Sequence, residues 1–387
     1  MGERPLDGNR TEFNRPHGPV TFGELTAGLV WPRLLRLPVI ASRPARVLVG
    51  TATVLVMWWA ARLVGMLTES ADAAGKKAQG VAVSVLRDIG DGVGDAAAGL
   101  VALDLRRVLD GLSLAWTAPG IHSERWVILS ASMLVLGGVF LAGGLSICRS
   151  AAVEIAGDVD LTVRRAVVFS LRRLGTLLAA VLIPLGAAAV LSLVLKAGGW
   201  ALFSLPGVSV VGAVLYPVAV LLGLAYTLVW LGFVLGNCLL APAVAVENAD
   251  AIDAVQRAYS YVIGRPLRTG LYLALTAALF AVGLVVASWL LGLAEGVAGA
   301  NAAAWLSPER AGVVNGTGDS TSAWMMAQMK WLVGMVVAGW GVSAFFSGST
   351  LLYLVLRRVH DEQDEHEVWM AGMVGGTLAP TPAKDAG

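Results

Sequence analysis

Charge is scarce in this sequence. Asp, Glu, Lys and Arg make up 14% of its 387 residues, where soluble globular domains carry about a quarter. With 57% hydrophobic residues and a mean hydropathy of +0.72, too little polar surface remains to enclose one large water-solvated core. The net charge of +1 excludes a polybasic nucleic-acid binder. Cysteine is nearly absent. Cys148 and Cys238 lie near the ends of apolar runs with no CxxC or Cys/His spacing, which predicts buried free thiols rather than a disulfide or metal centre.

Recognisable catalytic chemistry is missing too. The four histidines, His17, His122, His360 and His366, all fall outside the apolar runs. No HExxH, Ser/His/Asp or glycine-rich phosphate-binding pattern occurs. No catalytic residue, metal ligand or cofactor site is therefore assigned, and the chain is read as not an enzyme. The first twenty residues are polar and broken by Pro5, Pro16 and Pro19, so the first apolar stretch is expected to direct membrane insertion itself.

What is present is apolar length. Six stretches reach the roughly 20 residues that an α-helix needs to cross about 30 Å of hydrocarbon: Arg46 to Leu67, Trp126 to Cys148, Leu174 to Lys196, Val208 to Leu240, Leu267 to Leu293 and Trp331 to Leu356. The fourth is overlong and contains Pro217, so it reads as a kinked, tilted helix that leaves the bilayer, or as a surface piece leading into a span. The fold class is an all-α, six-span transmembrane bundle with a partial internal repeat and interfacial amphipathic helices. Its parts are an N-terminal amphipathic region (1–45), the first span (46–67), an outer amphipathic insertion (68–125), a four-span region holding the repeat (126–293), a second outer loop (294–330), the last span (331–356) and an acidic tail (357–387).

Basic residues alternate in density from connection to connection. Eighteen of the 28 lie before the first span, between the second and third, between the fourth and fifth, or after the sixth. That bias predicts both termini inside, and the excess of arginine over lysine, 23 to 5, with abundant alanine and glycine, looks bacterial, so a bacterial cytoplasmic membrane is the expected location. Trp126, Trp200, Trp324, Trp331 and Tyr353, near span ends, fit interfacial anchors.

The two connections expected inside resemble each other at a displacement of 93 residues: Val153, Glu154, Ala156, Asp160 and Arg164 match Val246, Glu247, Ala249, Asp253 and Arg257. Each reads as span, bend, short helix, span. Asp250 is placed to cap the second short helix, whereas Gly157 takes that place in the first. Glu154 and Glu247 are expected to be satisfied by backbone donors or by an arginine such as Arg164 or Arg257; a ligand, ion or lipid headgroup is the other reading. Pro242, Glu247, the Asp253-Ala254 pair and Arg257, echoed at Glu154, Asp160 and Arg164, resemble uncharacterised bacterial polytopic membrane proteins related to the membrane domain of glycerophosphodiester phosphodiesterases. The resemblance covers about residues 120 to 358 and implies a membrane domain; phosphodiester hydrolysis in such relatives belongs to a separate soluble domain and is not carried over.

In the outer insertion, Leu86, Ile89, Val93, Ala97 and Leu100, then Val101, Leu105, Val108, Leu109 and Leu112, recur at helical spacing, which predicts an interfacial helix or helical hairpin with bends at its glycines. Residues 294–322 read as irregular, with an ordinary turn at Asn315-Gly316-Thr317. Leu25 to Ile40, interleaved with Arg33 and Arg36, reads as an amphipathic element on the inner leaflet, with packing under the bundle as the alternative. The acidic run His360 to Glu367 reads as a solvated tail with Trp369 and Met370 as a docking handle. The span interiors contain no acidic residue, which argues against carboxylate-driven transport, while Arg62 alone sits inside the first span and is expected to snorkel or pair. Glycines in the second, fifth and sixth spans predict close helix packing.

The function these features point to is noncatalytic: an integral membrane scaffold or accessory subunit of a membrane complex. Its partners would be membrane lipids and an integral or peripheral membrane protein. A transporter or permease for a small or lipid-like substrate and an inner-leaflet lipid-handling protein are the alternatives. Candidate lipid or partner contacts are Arg33, Arg36, Arg62, Glu154, Arg164, Glu247 and Arg257.

Overall fold

Proline, glycine and charge interrupt the apolar runs at only a few points, and between them the backbone is helical. A computed structural model describes residues 31–69, 81–121, 126–157, 161–204, 209–317, 320–364, 366–370 and 373. Leu25 and Leu29 of the expected amphipathic element, Asp160 of the first repeat copy, and His17 and His122 lie outside them. A 3-10 turn (Trp31–Arg36) leads into α1 (Leu37–Ala41) and α2 (Pro44–Glu69). There follow α3 (Val81–Ala102), α4 (Leu105–Ile121), α5 (Trp126–Gly157), α6 (Val163–Phe203) and α7 (Ser209–Glu247). The chain continues through α8 (Ala251–Gly264), α9 (Pro266–Ala303), α10 (Pro308–Asn315) and α11 (Thr321–Asp361). Six of these, α2, α5, α6, α7, α9 and α11, are long and apolar enough to cross a membrane, so the chain is a multi-pass helical membrane protein.

The fourth apolar stretch is one continuous helix, α7, which keeps both Pro217 and Pro242 inside it. The helices also outrun the bilayer. α6 and α11 have 41 residues each, about 61 Å at 1.5 Å per residue, so each projects well past a ~30 Å apolar layer. Burial concentrates at one end of the bundle, where Leu145 to Val153 of α5, Leu239 to Ala249 at the end of α7, Ala254 to Tyr261 of α8 and Phe346 to Leu356 of α11 form the main core. We call this the elbow end, because the two repeated connections lie there.

The repeat is closed differently in its two copies. In the second, Pro266 lacks an N–H and its ring disfavours helical geometry at the residue before it. Arg265 accordingly sits at φ −141° and ψ 67° and separates α8 from α9. Its counterpart 93 positions earlier is Arg172, which is followed by Arg173 rather than proline. There the short helix and the span fuse into α6, so the short helix is a separate element only in the second copy, while the break expected before it is found in both, after Gly157 and after Glu247.

Residues 294–317 are more ordered than their glycines suggest. Ala294, Ala298, Ala300, Ala302 and Ala303 favour helix, and α9 runs through Ala303. Pro308 then starts α10 where its missing N–H does no harm, and Gly316, at φ +74°, closes it in the left-handed region open to glycine.

The outer insertion is a helical hairpin, α3 against α4, with α3 also packed on α9. Two of its glycines, Gly99 and Gly111, let the helices touch, whereas Gly90 and Gly94 face open space. A methyl on Gly99 would stand 2.7 Å from the Val108 nitrogen, and one on Gly111 2.6 Å from the Gly92 carbonyl oxygen. Asp104 caps α4 by accepting from the Arg107 N–H at 3.2 Å.

The element before the first span packs into the bundle rather than lying wholly on a surface. Leu34, Leu37, Ile40 and Ala41 are buried against Ala151, Ala344, Leu351 and Val355, and Leu35 and Val39 face outward with Arg36. The Ser343 hydroxyl donates to the Ala41 carbonyl at 2.7 Å and thereby satisfies a helix-end acceptor of α1.

Candidate functional site

Helix ends create the chemistry of the elbow end. The last carbonyls of α7 have no intrahelical donor, and three groups supply one. Asn248 turns into the left-handed region at φ 54° and donates its N–H to Val244 O at 3.0 Å. The Arg149 guanidinium donates to Ala245 O at 2.8 Å, and the Trp369 N–H donates to Val246 O at 2.8 Å. A cation at this position also opposes the negative end of the helix dipole.

Glu247, the last residue of α7, is 5% exposed and so needs compensation inside the protein. It forms an ion pair with Arg257 of α8. Its Oε1 accepts from the Tyr353 hydroxyl at 2.5 Å and lies 3.7 Å from Arg357 Nη1. Both Tyr353 and Arg357 belong to α11, one turn apart, and both are fully buried. Arg357 also donates to the carbonyls of Asp364 and Glu367 at 2.8 and 2.5 Å. Beside it, Tyr261 of α8 donates to Asp361 at 2.5 Å. Three helices and the C-terminal segment therefore meet on one carboxylate.

Glu154, the repeat counterpart, is neutralised from elsewhere. Arg43 donates through Nε to Oε1 at 3.1 Å, and Arg46, 1% exposed, pairs with the other oxygen. Both arginines come from the start of α2. Arg164, which matches Arg257 in the repeat, is exposed and makes no ion pair among the described residues. Of the two pairings expected, Glu247 with Arg257 is found, and Arg164 is displaced by Arg43 and Arg46.

The remaining candidates are scattered. Arg33 is half-buried and Arg36 exposed at the turn before α1. Arg62 lies at the other end of α2, exposed, with its guanidinium 4.8 Å from the Trp58 ring, which itself packs on Trp331 at 4.6 Å. That aromatic seat suits an interfacial cation. Trp200 and Trp324 are exposed as anchors should be, but Tyr353 is not an anchor; it is the buried donor to Glu247.

Sequence reasoning assigned Arg149, Arg357 and Trp369 no role in the elbow. Arg149 and Arg357 were visible only as positive charges on the arginine-rich side. The acidic run is solvated as expected at Asp361, Glu362, Asp364, His366 and Glu367, but the residues that follow it form a strap on the bundle. Arg149 donates to Trp369 O at 2.8 Å, with its guanidinium 5.0 Å from the Phe169 ring and 5.4 Å from the Trp369 ring; Val368 is 3% exposed. Trp369 thus docks on its own chain. Trp369→Ala is expected to free this strap and raise proteolytic cleavage within residues 362–373 several-fold, while Met370→Ala, at a 37% exposed position, leaves the cleavage pattern unchanged. Limited proteolysis followed by mass measurement reads both.

Ionisation at the elbow has a direction. Burial raises the Tyr261 phenol above its usual range, and the hydrogen bond to Asp361 and the nearby carboxylates raise it further. For Arg257, burial works against the charged form, but the Glu247 carboxylate and its neighbours outweigh it and the net shift is upward. An unfolded tyrosine titrates near about pH 10. Above that pH the unfolded chain releases a proton that folded Tyr261 retains, so stability present below pH ~10 is lost as pH rises. Wild type is expected to unfold at progressively lower temperature above about pH 10, and Tyr261→Phe is expected to flatten that dependence in a thermal melt.

In chemical terms the Glu247 carboxylate is engaged by a phenol and two guanidinium groups, all from its own chain. The arrangement ties helices together. Among the described residues no group of three or more His, Cys, Asp and Glu stands close enough to hold a metal. Comparison of the chain with protein-family models, curated proteins and solved structures returns no match.

Proposed function

We propose that the chain is a noncatalytic integral membrane scaffold or accessory subunit of a membrane complex. We place it in the bacterial cytoplasmic membrane with the elbow end and both termini inside. The orientation is supported by Arg149, Arg164, Arg165, Arg172, Arg173, Arg257, Arg265, Arg268, Arg357 and Arg358, which sit on the elbow sides of their helices.

The observation that carries the scaffold reading is the contrast along α7 and α9. The elbow end of α7 is locked into the core and that of α9 buries Thr269 and Thr276, yet between Ser209 and Leu231 only Gly212 is buried, and beyond Ala281 no residue of α9 is. Helices in lipid associate through close van der Waals fit rather than hydrophobic burial. Two spanning helices with so little cover from their own chain offer that fit to a neighbouring membrane helix. The residues behind the family resemblance, Glu247 and Arg257, then serve to hold the elbow from which these helices project.

A permease would need a continuous polar route. The cavity within the bundle near Phe140, Leu177, Asn237 and Phe346 has a volume of about 60 Å³ and a mainly apolar lining, which does not supply such a route. A lipid-handling role for Glu154 and Glu247 is disfavoured by their internal ion pairs. Purification in mild detergent followed by native mass measurement tests the proposal. A mass exceeding the 40.2 kDa chain by a whole, identifiable membrane partner is expected; a stable lone monomer with no recoverable partner overturns it.

A further inference from the structure

The displaced arginine of the first repeat copy has a consequence at the surface. In the second copy Arg257 is held by Glu247. In the first, Glu154 is taken by Arg43 and Arg46, which leaves Arg164 outside. It is not alone. Arg164, Arg165 and Arg172 are exposed and Arg173 is half-buried, and among the described residues no carboxylate pairs with any of the four.

Fusion of the short helix with the span places these residues on one continuous helix. At 100° per residue, Arg164, Arg165 and Arg172 share a sector about 100° wide, opposite the buried Ala166, Ser170 and Leu177. Val168 and Leu171, 39% and 60% exposed, lie within or beside the same sector. Farther along the helix the exposed positions are apolar as far as Val194, with Leu182 and Ile183 53% and 40% exposed. From Arg164 to Arg172 the rise is about 12 Å, enough to carry basic groups through a headgroup layer. The amide end of α6 faces the same way, and its N-cap Thr162 makes no side-chain hydrogen bond to it. That end favours negative charge.

We propose that this face binds the headgroups of anionic phospholipids, with Arg164, Arg165 and Arg172 meeting the phosphates and Arg173 outside the sector, toward the buried side. Arginine suits the task because its planar donor fork matches phosphate oxygens and its stem lies on apolar surface. Val168, Leu171 and the apolar helix beyond them select a ligand that carries acyl chains as well as negative charge. A soluble phosphate satisfies only the first half of the site. Juxtamembrane arginines gain about 1 kcal/mol each at an anionic leaflet, which corresponds to about a fivefold preference per residue.

The test uses the full chain in mild detergent, titrated with phosphatidylglycerol or phosphatidylcholine and read by native mass spectrometry. Wild type is expected to retain phosphatidylglycerol at least tenfold better. The triple substitution R164Q/R165Q/R172Q is expected to abolish that preference, while R310Q, on the opposite side, keeps it. Unchanged preference in the triple variant, or no preference in wild type, overturns the proposal. Inorganic phosphate at millimolar concentration is expected not to displace the lipid; displacement identifies a free-anion site and overturns the lipid assignment. Should the triple variant fail to fold, R172Q alone, at an exposed position, carries the comparison and is expected to weaken phosphatidylglycerol retention several-fold.

Discussion

Glu247→Ala is expected to destabilise the folded protein by about 3–5 kcal/mol, the range seen when one member of a buried ion pair is removed. The size follows from what remains. Arg357 is 0% exposed, so without Glu247 its charge stays in the core with only the carbonyls of Asp364 and Glu367 as partners. The Tyr353 hydroxyl loses its acceptor in the same step, and an unsatisfied buried donor adds about 1–3 kcal/mol. Helix content is a poor reporter in a membrane protein, so the expected readout is the temperature at which buried Cys148 becomes reactive to a thiol probe, measured in a Cys238→Ser background.

The double substitution Glu247→Leu with Arg357→Met separates loss of a pair from exposure of a lone charge. Replacing both partners with apolar groups is often neutral, because both desolvation penalties vanish together. The part of the loss that comes from the lone Arg357 charge is expected to return, while Tyr353 still lacks its acceptor and Arg257 its Glu247 partner. The strap should stay loose, since Arg357 also holds residues 364 and 367. A double variant no better than Glu247→Ala would mean that the ion pair is not the origin of the effect, and a Glu247→Ala midpoint equal to wild type would dismiss the elbow as a structural lock. Glu154→Ala is expected to be milder, because one of its partners, Arg43, has a side chain 46% exposed to solvent.

These contrasts mark how much the sequence carried. The six spans and the all-helical class were legible because apolar length is a local property, readable from any window of about 20 residues. The repeat was legible for the same reason, and it led to Glu154 and Glu247. Partner choice was not. Arg257 lies ten positions from Glu247, within reach of a local argument, whereas Arg46 is 108 positions from Glu154 and is selected only by the way α2 packs on α5. The buried roles of Arg149 and Arg357 were hidden by their position. An arginine at a span end looks the same whether it reaches for headgroups or turns inward to helix-end carbonyls. Tyr353 misled similarly, since an amphipathic ring near a boundary suits both an interface and a buried hydrogen bond. The bend before the short helix is present in both elbows, but the separate short helix expected in the first fails on one residue: proline stands at 266 and arginine at 173.

The glycine stripes divide in the same way, and the division predicts a large effect. Glycines recur in several spans, but only some mark a contact. At Gly50 an added methyl would overlap the Gly339 carbonyl oxygen and stand 3.0 Å from its carbon; at Gly339 it would meet the backbone of Thr51. Helices α2 and α11 therefore cross backbone to backbone. Neither side can rotate away, because what is struck is main chain. Next to this crossing a methyl on Gly143 would strike Thr53 and one on Gly144 the Phe346 ring, so α5 closes on the same point. Overpacking by one or two carbons in a tight interior costs about 1–3 kcal/mol. Gly50→Ala is expected near the top of that range, because the obstacle is main chain, and Gly339→Val is expected to prevent assembly of the bundle. Gly292 and Gly296 have the small-xxx-small spacing that suggests association, but no atom lies within 4 Å of the methyl each would gain. Alanine there replaces glycine in a helix interior, a change that favours helix by about 0.5–1 kcal/mol. The pair Gly292→Ala and Gly296→Ala is therefore expected to melt no lower than wild type, against a clear loss for Gly50→Ala in the same thiol-reactivity assay. Equal midpoints for Gly50→Ala and wild type would mean that α2 and α11 do not touch at this crossing, and the attachment of α2 to the bundle would have to rest on Arg43, Arg46 and Glu154 instead.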